Sequence, residues 1–263
     1  MIQLGAHVDQ TDPLAQAREM GATAVQFFLG DPQKWKGPQL DAEWAERLRV
    51  EADEAGVQLW VHAPYVINLA STNNRIRIPS RKLLQQNVHA AAQIGAAGVI
   101  VHGGHVTKDD DPAVGFDNWR KAVDGLEMSC PILIENTAGG ANAMARHLDR
   151  IDQLWSTIAS ASDSDKVGFC LDTCHAHAGG EELVGLVERI KAITGRIDLV
   201  HCNDSRDAFD SGADRHANLG QGQVDPEGLA EVVRLAGASV VLETPGSAEV
   251  HALEIEYLKE QLR

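Results

Sequence analysis

The sequence predicts an α/β protein, a single (β/α)8 TIM barrel, and three observations carry that expectation. Short apolar strands recur along the chain with amphipathic helical stretches between them, the pattern of repeated βα units. Eight such strands fit into 263 residues, and about 250 residues is the usual size of this barrel. No linker or low-complexity segment interrupts the series, so residues 1–263 read as one barrel domain. The competing architecture, an open doubly wound sheet, would place a Gly-rich phosphate loop after an early strand, and none is present.

The candidate strands are residues 2–8, 24–29, 59–62, 98–102, 131–136, 167–172, 197–201 and 239–243. Each is apolar and short, as a strand covered on both faces should be. Asp12-Pro13 and Asp225-Pro226 each read as an N-cap followed by proline at the first helical position, where its missing N–H costs nothing. Leu148, Ile151, Leu154, Trp155 and Ile158 fall on one helical face, as do Leu183, Leu186, Val187 and Ile190. The last helix is expected to turn Val250, Leu253, Tyr257 and Leu258 inward.

Composition is that of an ordinary globular protein, 44% hydrophobic and 23% charged. No apolar run approaches the roughly 20 residues that span a bilayer. The opening MIQLGAHVDQTDP has no basic segment followed by an apolar one, so no secretory signal is expected. Cys130, Cys170, Cys174 and Cys202 are too few for a disulfide scaffold and suggest a reducing compartment. The expected location is the cytoplasm, with no membrane association and no protein partner. A net charge of −15 argues mildly against a polyanionic ligand. Bound divalent cations would reverse that sign locally.

In such barrels the chemistry sits at the C-terminal ends of the strands. Here seven of the eight predicted strands end on or beside His7, His62, His102, Glu135, Asp172, His201 and Glu243. One strand-end histidine alone would read as a hydrogen-bonded structural residue. Seven polar ends together would set carboxylates against one another, which calls for a cation. Asp172 and His175 lie one turn apart in GFCLDTCHAHAGG, and Asp214 and His216 alternate around Arg215 in the loop after strand seven. Mixed nitrogen and oxygen donors suit zinc, alone or with manganese or iron, better than magnesium or calcium. His89, His147 and His251 fall in predicted helices and read as surface or packing residues, while His105 and His177 sit one step beyond better candidates. Cys170 and Cys174 are expected to pack the barrel interior.

FCLDTCHAHAGG, LIENTAGG, VHGGH, VHAPYVINLAS and HCNDSRD…DRHANLGQG together resemble the endonuclease IV family. These are metal-dependent abasic-site endonucleases within the xylose-isomerase-like superfamily of barrels. The resemblance runs from GAHV at residues 5–8 to LET at residues 242–244. It implies a site for up to three Zn2+ ions, with Mn2+ or Fe2+ as alternatives. His62 and His102 would bind the first, bridged by Glu135 to a second completed by Asp172, His201 and Glu243. His175, Asp214 and His216 would hold the third. Glu135 and Glu243 would be the catalytic carboxylates.

The resemblance further implies double-stranded DNA containing abasic sites as substrate, a monomer, and cleavage 5′ to the lesion. Tyr65 and Val66 match the family's insertion loop, and Gln33, Lys34 and Trp35 match a second. The family often carries Arg-Gln before that tryptophan, where this chain has Gln33-Lys34. Arg75, Arg77 and Arg81 are candidate phosphate contacts, with a solvated basic face as their plain alternative. Two rival readings are a metal-dependent sugar isomerase or epimerase on the same barrel, and a non-catalytic binder of damaged DNA. The first has no obvious use for Asp214, His216 or Tyr65-Val66; the second would be favoured by a lost ligand, and none is lost.

Overall fold

Side chains alternate between the two faces of a strand, so one apolar strand can supply both the barrel's interior and its outer coat. In the computed structural model, which describes residues 2–262, eight parallel strands close into a ring. They are β1 Leu4–His7, β2 Ala24–Phe28, β3 Gln58–His62, β4 Gly98–His102, β5 Ile132–Glu135, β6 Val167–Asp172, β7 Leu199–His201 and β10 Ser239–Leu242. All eight predicted strands are present: β4 and β6 keep their predicted bounds, β3 gains one residue and the other five are shorter by one to three. The ring closes where β1 pairs with both β2 and β10, Gly5 lying opposite Ala24 and Val241. A Cβ at Gly5 would overlap the Ala24 carbonyl, so the seam requires glycine.

Helices α1 Pro13–Met20, α2 Ala42–Ala55, α3 Asn74–Gln93, α4 Pro112–Gly125, α5 Leu148–Ile158, α6 Thr173–Gly179, α7 Leu186–Thr194, α8 Pro226–Ala236 and α9 Ala248–Gln261 connect the strands. Asp12 caps α1 by accepting from Ala15 N–H, and Asp225 caps α8 by accepting from Glu227 N–H; a proline follows each. Outward residues such as Val61, Val99, Ile134, Phe169, Val200 and Val240 join the helices in the main core. Inward residues Ala24, Trp60, Ile100, Leu133, Cys170, Leu199 and Val241 form a separate plug inside the ring. Cys170 thus lies where expected, whereas Cys174 is buried on α6; all four cysteines are unpaired.

Two sequence expectations need correction. The loop after β7 contains a short antiparallel pair, β8 Asp204–Ser205 with β9 His216–Ala217. Two-residue polar strands leave no periodic signal to read. The buried residues of α9 are His251, Glu254, Ile255 and Leu258; Leu258 is inside as expected and Tyr257 packs against the core, while Leu253 is 74% exposed. Glu254 takes an inward position because its carboxylate accepts from the Thr244 hydroxyl and the Leu219 N–H. Hydropathy alone prefers Leu253, but those hydrogen bonds compensate burial of the acid. Among the described residues no helix is long and apolar enough to cross a membrane.

Candidate metal centre

Two positions beyond the plug, the same inward face of the strands turns polar. Trp60 is followed by His62, Ile100 by His102, Leu133 by Glu135, Cys170 by Asp172, Leu199 by His201 and Val241 by Glu243. The two-residue period therefore aims six donors at the barrel axis at its C-terminal end. Glu243 does so from one residue past β10.

Glu135 is fully buried at the middle of the cluster. Its Oε2 lies 3.2 Å from His62 Nε2 and 3.2 Å from His102 Nε2. Its Oε1 lies 3.1 Å from His201 Nδ1 and 3.3 Å from His175 Nδ1. Asp172 ends β6 and caps α6, its Oδ1 accepting from His175 N–H at 2.6 Å. One short turn thus delivers both an acid and an imidazole. His216 arrives through the β8–β9 pairing, and its Nε2 and that of His175 approach Asp214 Oδ1 at 3.2 and 3.0 Å.

Donor atoms able to share an ion fall into three groups. These are His62, His102 and Glu135; Glu135, Asp172, His201 and Glu243; and Asp172, His175 and His216. Glu135 and Asp172 each belong to two. Eight of the nine ligands expected from sequence are in these groups. Asp214, its side chain 52% exposed, stands beside the third group without being part of it.

The outer nitrogens of the rings test whether this is a cation site. His62 Nδ1 donates to Ala63 O at 2.7 Å, His175 Nδ1 to Asn136 O at 2.9 Å and His216 Nδ1 to Glu243 O at 3.2 Å. A carbonyl only accepts, so one ring proton is fixed on that side, and the nitrogen facing the centre is the one left to an ion once any second proton is displaced. His175 Nε2 and His216 Nε2 are buried without a hydrogen-bond partner, although an Asp214 oxygen is close. Orphaned nitrogens converging with carboxylates fit a divalent ion with mixed donors.

Electrostatics point the same way. Burial alone would raise Glu135, yet His102 and His201 hold it well below the usual carboxylate range. Burial would also raise Glu243, but His201 keeps it low. For Asp172 burial prevails, and its pKa rises. Desolvation lowers His62. Despite burial, His175 is driven well up, chiefly by Asp172, His201 well up by Cys170, Glu243 and Glu135, and His216 up to about 9, chiefly by Asp214. The metal-free centre thus carries protons at neutral pH that an ion must displace. Calorimetric titration with Zn2+ at pH 7 is expected to show more than one proton released per molecule, read from buffers of different ionisation enthalpy. Heats independent of buffer would contradict this charge balance.

The cavity above the cluster, about 390 Å3, is lined by His62, Tyr65, His102, His175, Asp214, His216, Glu243 and Pro245. Tyr65 is 55% exposed and stands edge-on to His62, with ring centroids 5.4 Å apart. Val66 is partly buried against the main core. In the loop after β2, Gln33 is exposed, Lys34 pairs with Asp31 at 2.7 Å and Trp35 is 49% exposed. Arg75 is exposed, while Arg77 donates to the Ser71 and Thr72 carbonyls and Arg81 to the Asn118 carbonyl. Those bonds commit the guanidinium groups of Arg77 and Arg81 to holding α3 and its approach.

Of the remaining histidines, His89 and His147 are surface residues near Glu127 and Glu181, and His251 is buried against the Thr244 carbonyl. His147 precedes α5 as its N-cap residue and is not part of the helix. His105 is exposed, and His177 bonds the Asp207 carbonyl. Sequence reasoning missed Gln26, Asn136 and Asn203. Asn136 exchanges two hydrogen bonds with the Asp172 backbone, and Asn203 donates to Asp172 Oδ2 while accepting from Glu243 N–H. Gln26 is inward-facing two residues after Ala24, so the strand period marks it.

A family model described as a xylose isomerase-like TIM barrel matches residues 14–261. A Mycobacterium ulcerans protein named "Probable endonuclease 4" is 57% identical over 98% of both chains, and a Mycobacterium bovis protein of the same name is 55% identical with the same coverage. The crystal structure of endonuclease IV from Thermus thermophilus superposes with a TM-score of 0.85 at 28% identity, covering 99% of this chain and 98% of that one. A D-tagatose 3-epimerase-like protein, at 21% identity and a TM-score of 0.79 over 99% and 97% of the chains, shares the fold. With relatives more than half identical along nearly its whole length, the chain belongs to the endonuclease IV family.

Proposed function

We propose that this chain is a metal-dependent abasic-site endonuclease of base excision repair, acting as one catalytic barrel and as a monomer in the cytoplasm. It hydrolyses the phosphodiester 5′ to an abasic site in double-stranded DNA, leaving a 3′-hydroxyl and a 5′-deoxyribose phosphate. The same chemistry extends to removal of blocked 3′ ends. The carrying observation is the set of three overlapping donor groups at the barrel mouth, beneath an exposed aromatic ring. His62, His102 and Glu135 would hold one Zn2+, and Glu135, Asp172, His201 and Glu243 a second. His175, Asp214 and His216 would hold the third, with Asp172 in reach. Mn2+ or Fe2+ suits the same donors.

Such ions supply Lewis acidity toward phosphoryl oxygens and compensate charge on attacking and departing oxygens. The chain's own groups then have definite tasks. Glu135, buried among four imidazoles, fixes their spacing and keeps its negative charge. Glu243 has Oε1 occupied by Gln26 and turns Oε2 toward His201 Nδ1 at 3.5 Å, where it can accept a hydrogen bond from water and orient it. Tyr65, with Val66 and the loop carrying Gln33, Lys34 and Trp35, offers apolar surface to the gap at a lesion. Extruding a nucleotide is cheapest where pairing and stacking are already lost, which favours abasic sites. Arg75 is the most accessible of the three candidate phosphate contacts.

A labelled duplex with one tetrahydrofuran abasic analogue tests this directly, because the analogue does not undergo β-elimination. Incision 5′ to the analogue with a free 3′-hydroxyl is expected. Intact duplex after incubation with zinc-loaded protein would discard the proposal and turn attention to sugar substrates.

A further inference from the structure

We infer that Gln26 is a positioning residue that sets the donor geometry of His201 and Glu243; the inference rests on the metal-dependent reading above. Gln26 lies on β2, the one barrel strand that supplies no candidate ligand apart from β1, and it is fully buried. Its Oε1 is 2.7 Å from His201 Nε2, and its Nε2 is 2.6 Å from Glu243 Oε1 and 3.0 Å from His7 Nδ1. An ionised carboxylate only accepts, so the amide must present its NH2 to Glu243 and therefore its oxygen to His201.

Three consequences follow from that one orientation. His201 keeps its proton on Nε2, leaving Nδ1 as the donor toward Glu135 Oε1 at 3.1 Å and Glu243 Oε2 at 3.5 Å. Glu243 has one oxygen occupied, so the other faces the centre. His7 receives the second amide hydrogen on Nδ1, which places its proton on Nε2. A single side chain thus sorts the lone pairs of two ligands that come from different strands. His62, His175 and His216 find their outer acceptor on the backbone; His201 depends on a side chain, which substitution can remove.

The test compares wild type, Gln26→Met and Gln26→Glu, each first checked for cooperative melting without metal. Zn2+ content and affinity are measured by competition with a chromophoric chelator. Gln26→Met keeps the volume and removes all three contacts, and one ion of the set is expected to bind about 10–100-fold more weakly, as for other lost outer-sphere partners. The remaining ions should keep wild-type affinity, the visible spectrum of the Co2+-loaded protein should change, and saturating Zn2+ should restore much of the incision rate. A merely structural role would weaken every ion together or none. Gln26→Glu still accepts from His201 but no longer donates to Glu243, so it too should weaken that ion, and it decides the matter if Gln26→Met does not fold. Full ion content at wild-type affinity in a folded variant overturns the inference. Wild-type protein that takes up no divalent ion would instead overturn the metal-dependent reading itself.

Discussion

Replacing Glu135 by Gln is expected to lower incision by about two to four orders of magnitude with the barrel still folded. The carboxylate touches His62, His102, His175 and His201 within 3.3 Å, and it is completely buried. An amide of the same shape keeps the packing but removes the negative charge and puts an NH2 against imidazole nitrogens. Removing one preorganised electrostatic group from an active site costs about 2.7–4 kcal/mol of barrier, at about tenfold in rate per 1.36 kcal/mol, and loss of a ligand shared by two donor groups adds to it. Because Glu135 belongs to two donor groups, the loss should register as lower Zn2+ content as well as slower turnover. Glu243→Gln should also slow incision, with a smaller loss of metal, since Glu243 belongs to one group. Near-normal turnover by Glu135→Gln would remove the residue from the centre of the mechanism.

The contrast between these two carboxylates also shows how far the sequence reaches. Glu135 and Asp172 are legible because they close apolar runs, and a charge at the end of a buried strand is costly without a partner. His216 is legible as a residue type, but its delivery is not: the β8–β9 pair that carries it has too few residues for a period. The sharing of Asp172 with His175 and His216 was equally hidden, because it depends on how closely two loops approach across the barrel mouth. Gln26 was hidden for a different reason. It sits inside a strand whose end is apolar, so a search of strand ends passes over it, although the alternation after Ala24 marks it as inward. On α9 the error ran the other way: hydropathy placed Leu253 inside, and three hydrogen bonds to Glu254 decided otherwise. Patterns of polarity locate the faces of elements, and the identities of hydrogen-bond partners across elements settle the exceptions.

Exhaustive chelation is expected to abolish incision and to lower the melting temperature, with a gap between loaded and stripped protein that widens as pH rises. An ion binding only the folded state at a free concentration a thousandfold above its Kd contributes about 4 kcal/mol. In a chain of this size each kcal/mol moves the midpoint by about 2–4 °C, so one site alone accounts for a shift of about 8–16 °C. The pH dependence comes from what replaces the ion. In the stripped protein, protonated His175, His201 and His216 offset Glu135, Asp172, Asp214 and Glu243. A histidine whose folded pKa is raised stabilises fully below its unfolded value and loses that contribution as pH rises through the folded value. For His216 that window runs from 6.5 to about 9. The stripped protein should therefore lose stability across this range as its imidazoles give up their protons. In the loaded protein those rings are already neutral ligands, and the ion carries the compensating charge throughout. Scanning calorimetry of both forms between the two ends of that window reads the difference directly. Parallel melting curves at every pH would mean that the cluster does not hold the charge balance assigned to it.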